Sequence, residues 1–151
     1  MRIALGSDDR TDMTAFLADD LRRRGHDVSL HGALDPLEPK EWPLVGRRVG
    51  EAVASGESEY GIVCCWTGTG VSIAANKVRG VRAALCNDAQ TAAGARTWND
   101  ANVLALSLRS TTPEDARAIL DAWFESQPTD DPEDRAMIGR VELPASRRGE
   151  T

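Results

Sequence analysis

The chain has 151 residues, 41% hydrophobic and 28% charged, a globular mixture sized for one domain around one core. Its 18 Lys and Arg stand against 24 Asp and Glu, a formal net charge of −6, which argues against nucleic-acid binding driven by counterion release. No apolar run approaches the roughly 20 residues of a membrane span. The start MRIALGSDD lacks the pattern of a signal peptide. Three cysteines, two of them adjacent, suit a reducing, cytoplasmic compartment better than a disulfide framework.

Strand-length apolar stretches alternate with stretches of helical period. Arg2 to Gly6 predicts a first strand, and Met13, Phe16, Leu17 and Leu21 recur at helical spacing with Gly25 at the C-terminal cap position. Val28 and Leu30 mark a short second strand. After a loop over 33–41, Pro43 suits a first helical turn, and Leu44, Val45, Val49, Ala52 and Val53 form one face ending at Gly56. Tyr60 to Cys65 predicts a buried central strand, as do Ala83 to Cys86 and Val103 to Leu106, with an Ala-rich helix over 88–98 between the last two. A last major helix starts after Thr112, its apolar face being Ala116, Ile119, Leu120, Trp123 and Phe124. Such alternation demands crossover connections, hence an α/β fold with a five-stranded parallel sheet covered on both faces. Residues 1–126 make the domain. Residues 127–151 read as a linker over 127–134, a short helix carrying Arg135 and Arg140, and a frayed end over 144–151.

In open parallel sheets ligands bind beyond the carboxyl ends of the strands, near the switch in strand order. That directs attention to 7–10, 66–72, 87–88 and 107–109. The strongest local signal is Cys65-Trp66-Thr67-Gly68-Thr69-Gly70-Val71-Ser72, a glycine-rich turn from a strand into a helix. Such a turn offers unpaired backbone N–H groups to a phosphate or an enolate-like oxygen, or is simply loop geometry. It is neither a nucleotide-hydrolase phosphate loop, since Val71 follows Gly70, nor a dinucleotide fingerprint, since Ile73 stands where a third glycine belongs. A thiol such as Cys65 at a helix N-terminus is more readily deprotonated and able to take a proton, or it packs as a small hydrophobe. Cys64 should point to the opposite face. Asp8 and Asp9 serve either sugar hydroxyls and acid–base steps or the capping of the helix beginning near Thr11. Asn99 to Asn102 is otherwise a turn, and Arg109, Arg135 and Arg140 suit a phosphate only if something gathers them.

Together these pieces resemble the ribose-5-phosphate isomerase B family, which includes the galactose-6-phosphate isomerase subunits. The best matches are CxTGxGxSIAANKVxGxRAAL from Cys65 to Leu85 and NDANVLxL from Asn99 to Leu106, with Glu41-Trp42-Pro43 resembling Asp-Tyr-Pro and Gly6-Ser7-Asp8 resembling Gly-Cys-Asp. The likeness runs from Met1 to about Val141. It implies a Rossmann-like αβα sandwich and a cofactor- and metal-free aldose–ketose isomerase working on a sugar phosphate through a cis-enediolate. By position it implies Cys65 as the base, Thr67 assisting at the sugar oxygens, and Gly68, Gly70 and Asn99 stabilising the enediolate. Asp8 would contact substrate, with Arg109 on the phosphate. Arg135 and Arg140 match a C-terminal pair spaced one residue too far apart. It also implies a homodimer or homotetramer with sites at the subunit interface, and no nucleic acid or membrane partner.

Three departures stand out. Asp9 replaces the family histidine after the first strand, Trp98 replaces the histidine assigned to furanose ring opening, and Trp66 stands where glycine is common. An indole N–H is donor only and cannot move that proton. Trp42, Trp66 and Trp98, with Asp9 and Ser72, therefore join the substrate-binding candidates. The expectation is an isomerase for a different or open-chain sugar, the alternative being a catalytically impaired sugar-phosphate-binding protein on the same scaffold.

Overall fold

The computed structural model describes residues 1–142, so the expectation for 144–151 lies outside the described residues. Elements alternate in chain order: β1 (Arg2–Ser7), α1 (Asp12–Arg23), β2 (Asp27–Gly32), α2 (Trp42–Ala54), β3 (Tyr60–Cys65), α3 (Thr69–Asn76), β4 (Ala83–Leu85), α4 (Ala89–Asn99), β5 (Val103–Ser107), α5 (Pro113–Glu125) and α6 (Pro132–Val141). All strand pairs are parallel, in the order β2-β1-β3-β5-β4. The chain winds one way from β1 to β2 and the other way from β3 onward, so the switch in strand order lies between β1 and β3.

Strand alternation sends successive residues to opposite faces, and two cores result. Ile3, Leu5, Ile62, Cys64, Leu104 and Leu106 pack against α1, α4 and α5, with Trp123 at the centre of that layer. Ala4, Val63, Cys65, Val103 and Ala105 pack against α2 and α3. The three-layer αβα expectation holds, and Cys64 and Cys65 do face opposite ways.

Local chemistry sets the boundaries. Thr11, not Asp8 or Asp9, caps α1: its hydroxyl accepts from Thr14 N–H while the Thr14 hydroxyl accepts from Thr11 N–H, a reciprocal box that leaves both aspartates without a capping role. Asp131 caps α6 through Glu133 and Asp134 N–H, so that helix starts inside the stretch expected to be linker, which shrinks to the residues before Asp131. Leu44 is exposed rather than part of the α2 face, because Val45, Val49 and Ala52 already fill that stripe. The α4 helix runs to Asn99, one residue past its expected end, and Asp100 closes it in the left-handed region.

Candidate active site

The carboxyl ends of β1, β3 and β5 form one edge at the switch point. Ser7 pairs with Cys64 and Cys65 with Ser107 in register, and Asp8 N–H donates to the Cys64 carbonyl at 3.4 Å. Leu108 N–H donates to the Cys65 carbonyl, and Arg109 N–H and the Ser107 hydroxyl both donate to the Trp66 carbonyl, each at 2.9 Å. The turn bearing Cys65 is thus pinned from both sides, with Asp8 on one flank and Ser107 on the other. Cys65 is 5% exposed, on the face covered by α2 and α3. Burial pushes the Cys64 thiol well above its ordinary range and that of Cys86 up to about 12, so both stay protonated, neutral core side chains.

Beyond Cys65 the chain enters α3 through Gly68, whose φ of +76° suits glycine. Among the described residues no side chain caps this helix; Ser72 N–H is the first to donate inward, to the Gly68 carbonyl at 3.3 Å, which leaves the amides of Thr69, Gly70 and Val71 without partners inside the helix. The Thr67 and Thr69 hydroxyls share a 2.7 Å hydrogen bond at this mouth. The Trp42 indole lies over Gly70, so close that a β-carbon there would stand 2.9 Å from the ring. Trp66 is 65% exposed: its backbone is fixed while its indole projects outward.

Along the same edge a groove of about 310 Å³ is lined by Asp8, Asp9, Arg10, Asp35, Glu38 and Lys40, among others, though it does not reach Cys65. Partial burial raises the Asp8 carboxyl, its own backbone N–H opposes that, and the Asp9 charge adds to it. An acid whose folded pKa is raised is penalised when ionised, so stability falls as pH rises from the unfolded toward the folded pKa, and the penalty persists above. Asp8→Asn should therefore give a small rise in Tm at pH 7, held down by solvent screening, that has vanished by about pH 3, below the ordinary Asp value of 3.8. Thermal unfolding at the two pH values checks it; an equal or larger gain at the acid end would contradict it. The wall of the groove is clipped by Glu38, whose carboxylate meets His31 Nδ1 at 2.9 Å and accepts from Gly32 N–H at 2.9 Å.

The remaining candidates lie elsewhere. The α4 helix descends from the end of β4 to the start of β5, so Trp98 and Asn99 sit at the amino edge of the sheet, near Tyr60. Cys65 is at the far end of β3, about 17 Å away at ~3.3 Å per residue. Asn99 and Trp98 line a second groove, of about 290 Å³, with Met137 and Ile138 of α6, and the Trp98 indole folds back over Gly94. Arg135 stands near Asp100, ion-paired to Asp130 at 3.7 Å, and Arg140 contacts the Met137 sulfur at 3.7 Å. One chain therefore brings together Asp8, Asp9, Trp42, Cys65, Trp66, Thr67, Gly68, Gly70, Ser72 and Arg109, but not Trp98, Asn99, Arg135 or Arg140.

The stretches 66–72 and 107–109 pointed to Thr69 and Ser107 without singling out either side chain, and Lys40 needed the loop path. Among the described residues no three His, Cys, Asp or Glu side chains cluster to hold a metal ion.

Comparison with known proteins adds the context of the site. The sequence profile of the Ribose/Galactose Isomerase family matches residues 3–139. The chain is 35% identical over 143 residues to galactose-6-phosphate isomerase subunit LacB of Clostridium acetobutylicum, covering 94% of this chain and 82% of that protein. It is 37% identical over 129 residues to a D-erythrulose-4-phosphate isomerase of Pectobacterium atrosepticum, covering 84% of each. The structure of Clostridium thermocellum ribose-5-phosphate isomerase B superposes with a TM-score of 0.86 at 38% identity, over 94% of this chain and 95% of that one.

Proposed function

The chain belongs to the ribose/galactose isomerase family, and on that premise we propose that it interconverts the aldose and ketose forms of a sugar phosphate. Cys65, as thiolate, removes the proton from the carbon beside the carbonyl. The freed electron pair forms the C=C bond of a cis-enediolate while the carbonyl pair moves onto oxygen. Return of the proton to the neighbouring carbon, with the hydroxyl proton passed through Thr67, completes an exchange that gains and loses no atoms. The observation that carries this reading is the seat of Cys65 at the switch point, directly before uncapped α3. Donors already aimed where negative charge develops lower the barrier without reorganising. The amides from Gly68 to Gly70 fill that role.

Around them Asp8 and Asp9 take substrate hydroxyls, Trp42 and Trp66 wall the sugar, Ser72 lines the first turn of α3, and Arg109 holds the phosphate. Trp98, Asn99, Arg135 and Arg140 stand at the opposite edge of the same chain, so on this reading a second copy supplies them. The working unit is a homodimer or homotetramer with sites between subunits, and residues 127–142 belong to the same domain or to that interface.

For the substrate, the available acid–base groups favour a sugar that needs no ring opening. The chain has two histidines. His26 stacks on Phe124 at 4.5 Å between ring centres, and His31 is buried with its ring nitrogens bonded to Ser29 and Glu38. Neither imidazole is free to serve the Cys65 edge. A four-carbon sugar phosphate cannot close a stable furanose through the phosphorylated oxygen, and similarity to an erythrulose-phosphate isomerase supports the same class.

The test is turnover of D-erythrulose 4-phosphate and ribose 5-phosphate in D₂O. Expected is isomerisation of the tetrulose phosphate with deuterium at C1 or C2, and kcat/KM for ribose 5-phosphate lower by roughly a hundredfold, the scale of one missing acid–base group. Rapid ribose 5-phosphate turnover, unchanged in Asp9→Ala, would overturn the substrate reading. Loss of that turnover in Asp9→Ala would instead identify Asp9 as the ring-opening group. Absence of exchange with either sugar would remove the isomerase reading and leave a binding protein.

A further inference from the structure

The turn from α4 into β5, with Ala101 buried and Asp100 and Asn102 half-buried, is held by a network of charged side chains. Asp100 sits at φ +44°, the one non-glycine residue at positive φ among the described residues, a conformation Asp tolerates better than most. Its carboxylate accepts from Arg96 Nη1 at 3.1 Å and meets Arg82 Nη2 at 3.5 Å, and its carbonyl accepts from Arg82 Nε at 2.8 Å. Arg96 is 3% exposed. It also donates to the Ala101 carbonyl at 2.6 Å and the Tyr60 hydroxyl at 2.8 Å, and its guanidinium lies over the Tyr60 ring. Arg82 pairs in turn with Glu142 of the segment after α6 at 2.9 Å, and the Asn102 amide bonds Arg82 N–H and the Gly80 carbonyl.

Stability alone does not call for this charge. An ion pair with one buried member is often matched or bettered by packed apolar groups, and among the described residues Arg96 Nε has no hydrogen-bond partner. What the network achieves is geometric. Asp100, Ala101 and Asn102 are all tied inward, whereas the side chains of Trp98 and Asn99 make no hydrogen bond among the described residues and stand exposed.

We propose that the Arg96–Asp100 pair is a positioning device for the isomerase reaction, fixing the turn from which Asn99 reaches the reacting oxygens at a neighbouring copy's Cys65. This rests on the reading of Asn99 given above. An amide that must meet a developing oxyanion across a subunit boundary has no covalent link to the atoms it serves, so the backbone behind it must be rigid. Misplacement by about 1 Å costs up to ~100-fold in rate. Neither Arg96 nor Asp100 touches substrate; both act through Asn99.

The test is a double-mutant cycle in the intact oligomer, using whichever of D-erythrulose 4-phosphate or ribose 5-phosphate the wild type turns over. Asp100→Gly keeps the left-handed backbone and removes the carboxylate. It should lower kcat roughly ten- to hundredfold with KM little changed, and Asp100→Asn, which retains one acceptor, should recover part of the loss. Asn99→Ala/Asp100→Gly should be no slower than Asn99→Ala alone, because a positioning residue has nothing left to position. If the glycine variant does not fold, Asp100→Asn in the same cycle carries the test. Wild-type kcat in Asp100→Gly beside a disabled Asn99→Ala, or effects that multiply in the double variant, would overturn the positioning role. Full activity in Asn99→Ala would overturn the reading of Asn99 on which it rests, leaving the role of Cys65 untouched.

Discussion

Cys65→Ser is expected to fold as the wild type does and to lose isomerisation by roughly a thousandfold, the upper part of the range for a general base. The substitution exchanges sulfur for oxygen at a site 5% exposed, keeps the Leu108-to-Cys65 backbone hydrogen bond, and changes volume little. What it removes is the thiol, which gives up its proton far more readily than an alkyl hydroxyl does. The two other cysteines cannot substitute: Cys64 faces the other core, and burial holds both it and Cys86 protonated. Turnover and carbon-bound deuterium exchange, read beside thermal unfolding, separate lost chemistry from lost structure. Full exchange in the variant would move the base to another residue.

Gly68→Ala is expected to be among the most destabilising single-methyl changes in the chain, costing about 2–4 kcal/mol and abolishing activity. A β-carbon at Gly68 would stand 2.6 Å from Leu85 Cδ1 and 2.9 Å from the carbonyl carbon and oxygen of Leu106, at φ +76°. Backbone of β5 cannot retreat without breaking its pairing with β3. The strain therefore falls on the turn itself, and the first-turn amides of α3 move away from Cys65. Gly56→Ala provides the control. It has a similar φ of +79° with nothing among the described residues within 4 Å of an added β-carbon, so it should cost only the left-handed strain of ~1–2 kcal/mol. Denaturant unfolding of both variants gives the comparison; equal losses would mean that contact with β5 plays no part.

The alternation of strands and helices was legible because each buried strand leaves an apolar run and each helix a 3.6-residue stripe. The strand order was not, because pairing joins residues far apart in sequence and no local pattern encodes it. Asp8 and Asp9 illustrate a local competition that the sequence left open: Thr11, with Thr14 three residues on, satisfies the helix end, and only the structure reveals that the carboxylates are thereby released to the groove. The site was legible as motifs but not as geometry. Cys65 and Asn99 fall in the two strongest motifs, yet one closes a strand and the other ends a helix running back, so a single chain holds them at opposite edges. Arg96 carried no signal, since a buried arginine reads in sequence as a solvated one, and Asp100 was legible only as part of the Asn99–Asn102 turn.

The claim on which the account turns is that one chain's Cys65 works with another chain's Asn99. Co-expression of Cys65→Ser and Asn99→Ala chains under separate tags, followed by purification of the hybrid oligomer, tests it most directly. Each variant alone should be nearly inactive. In a two-fold hybrid one of the two sites regains both groups and the other loses both, so activity on the order of half the wild-type value is expected. A hybrid no more active than either parent would contradict a shared site.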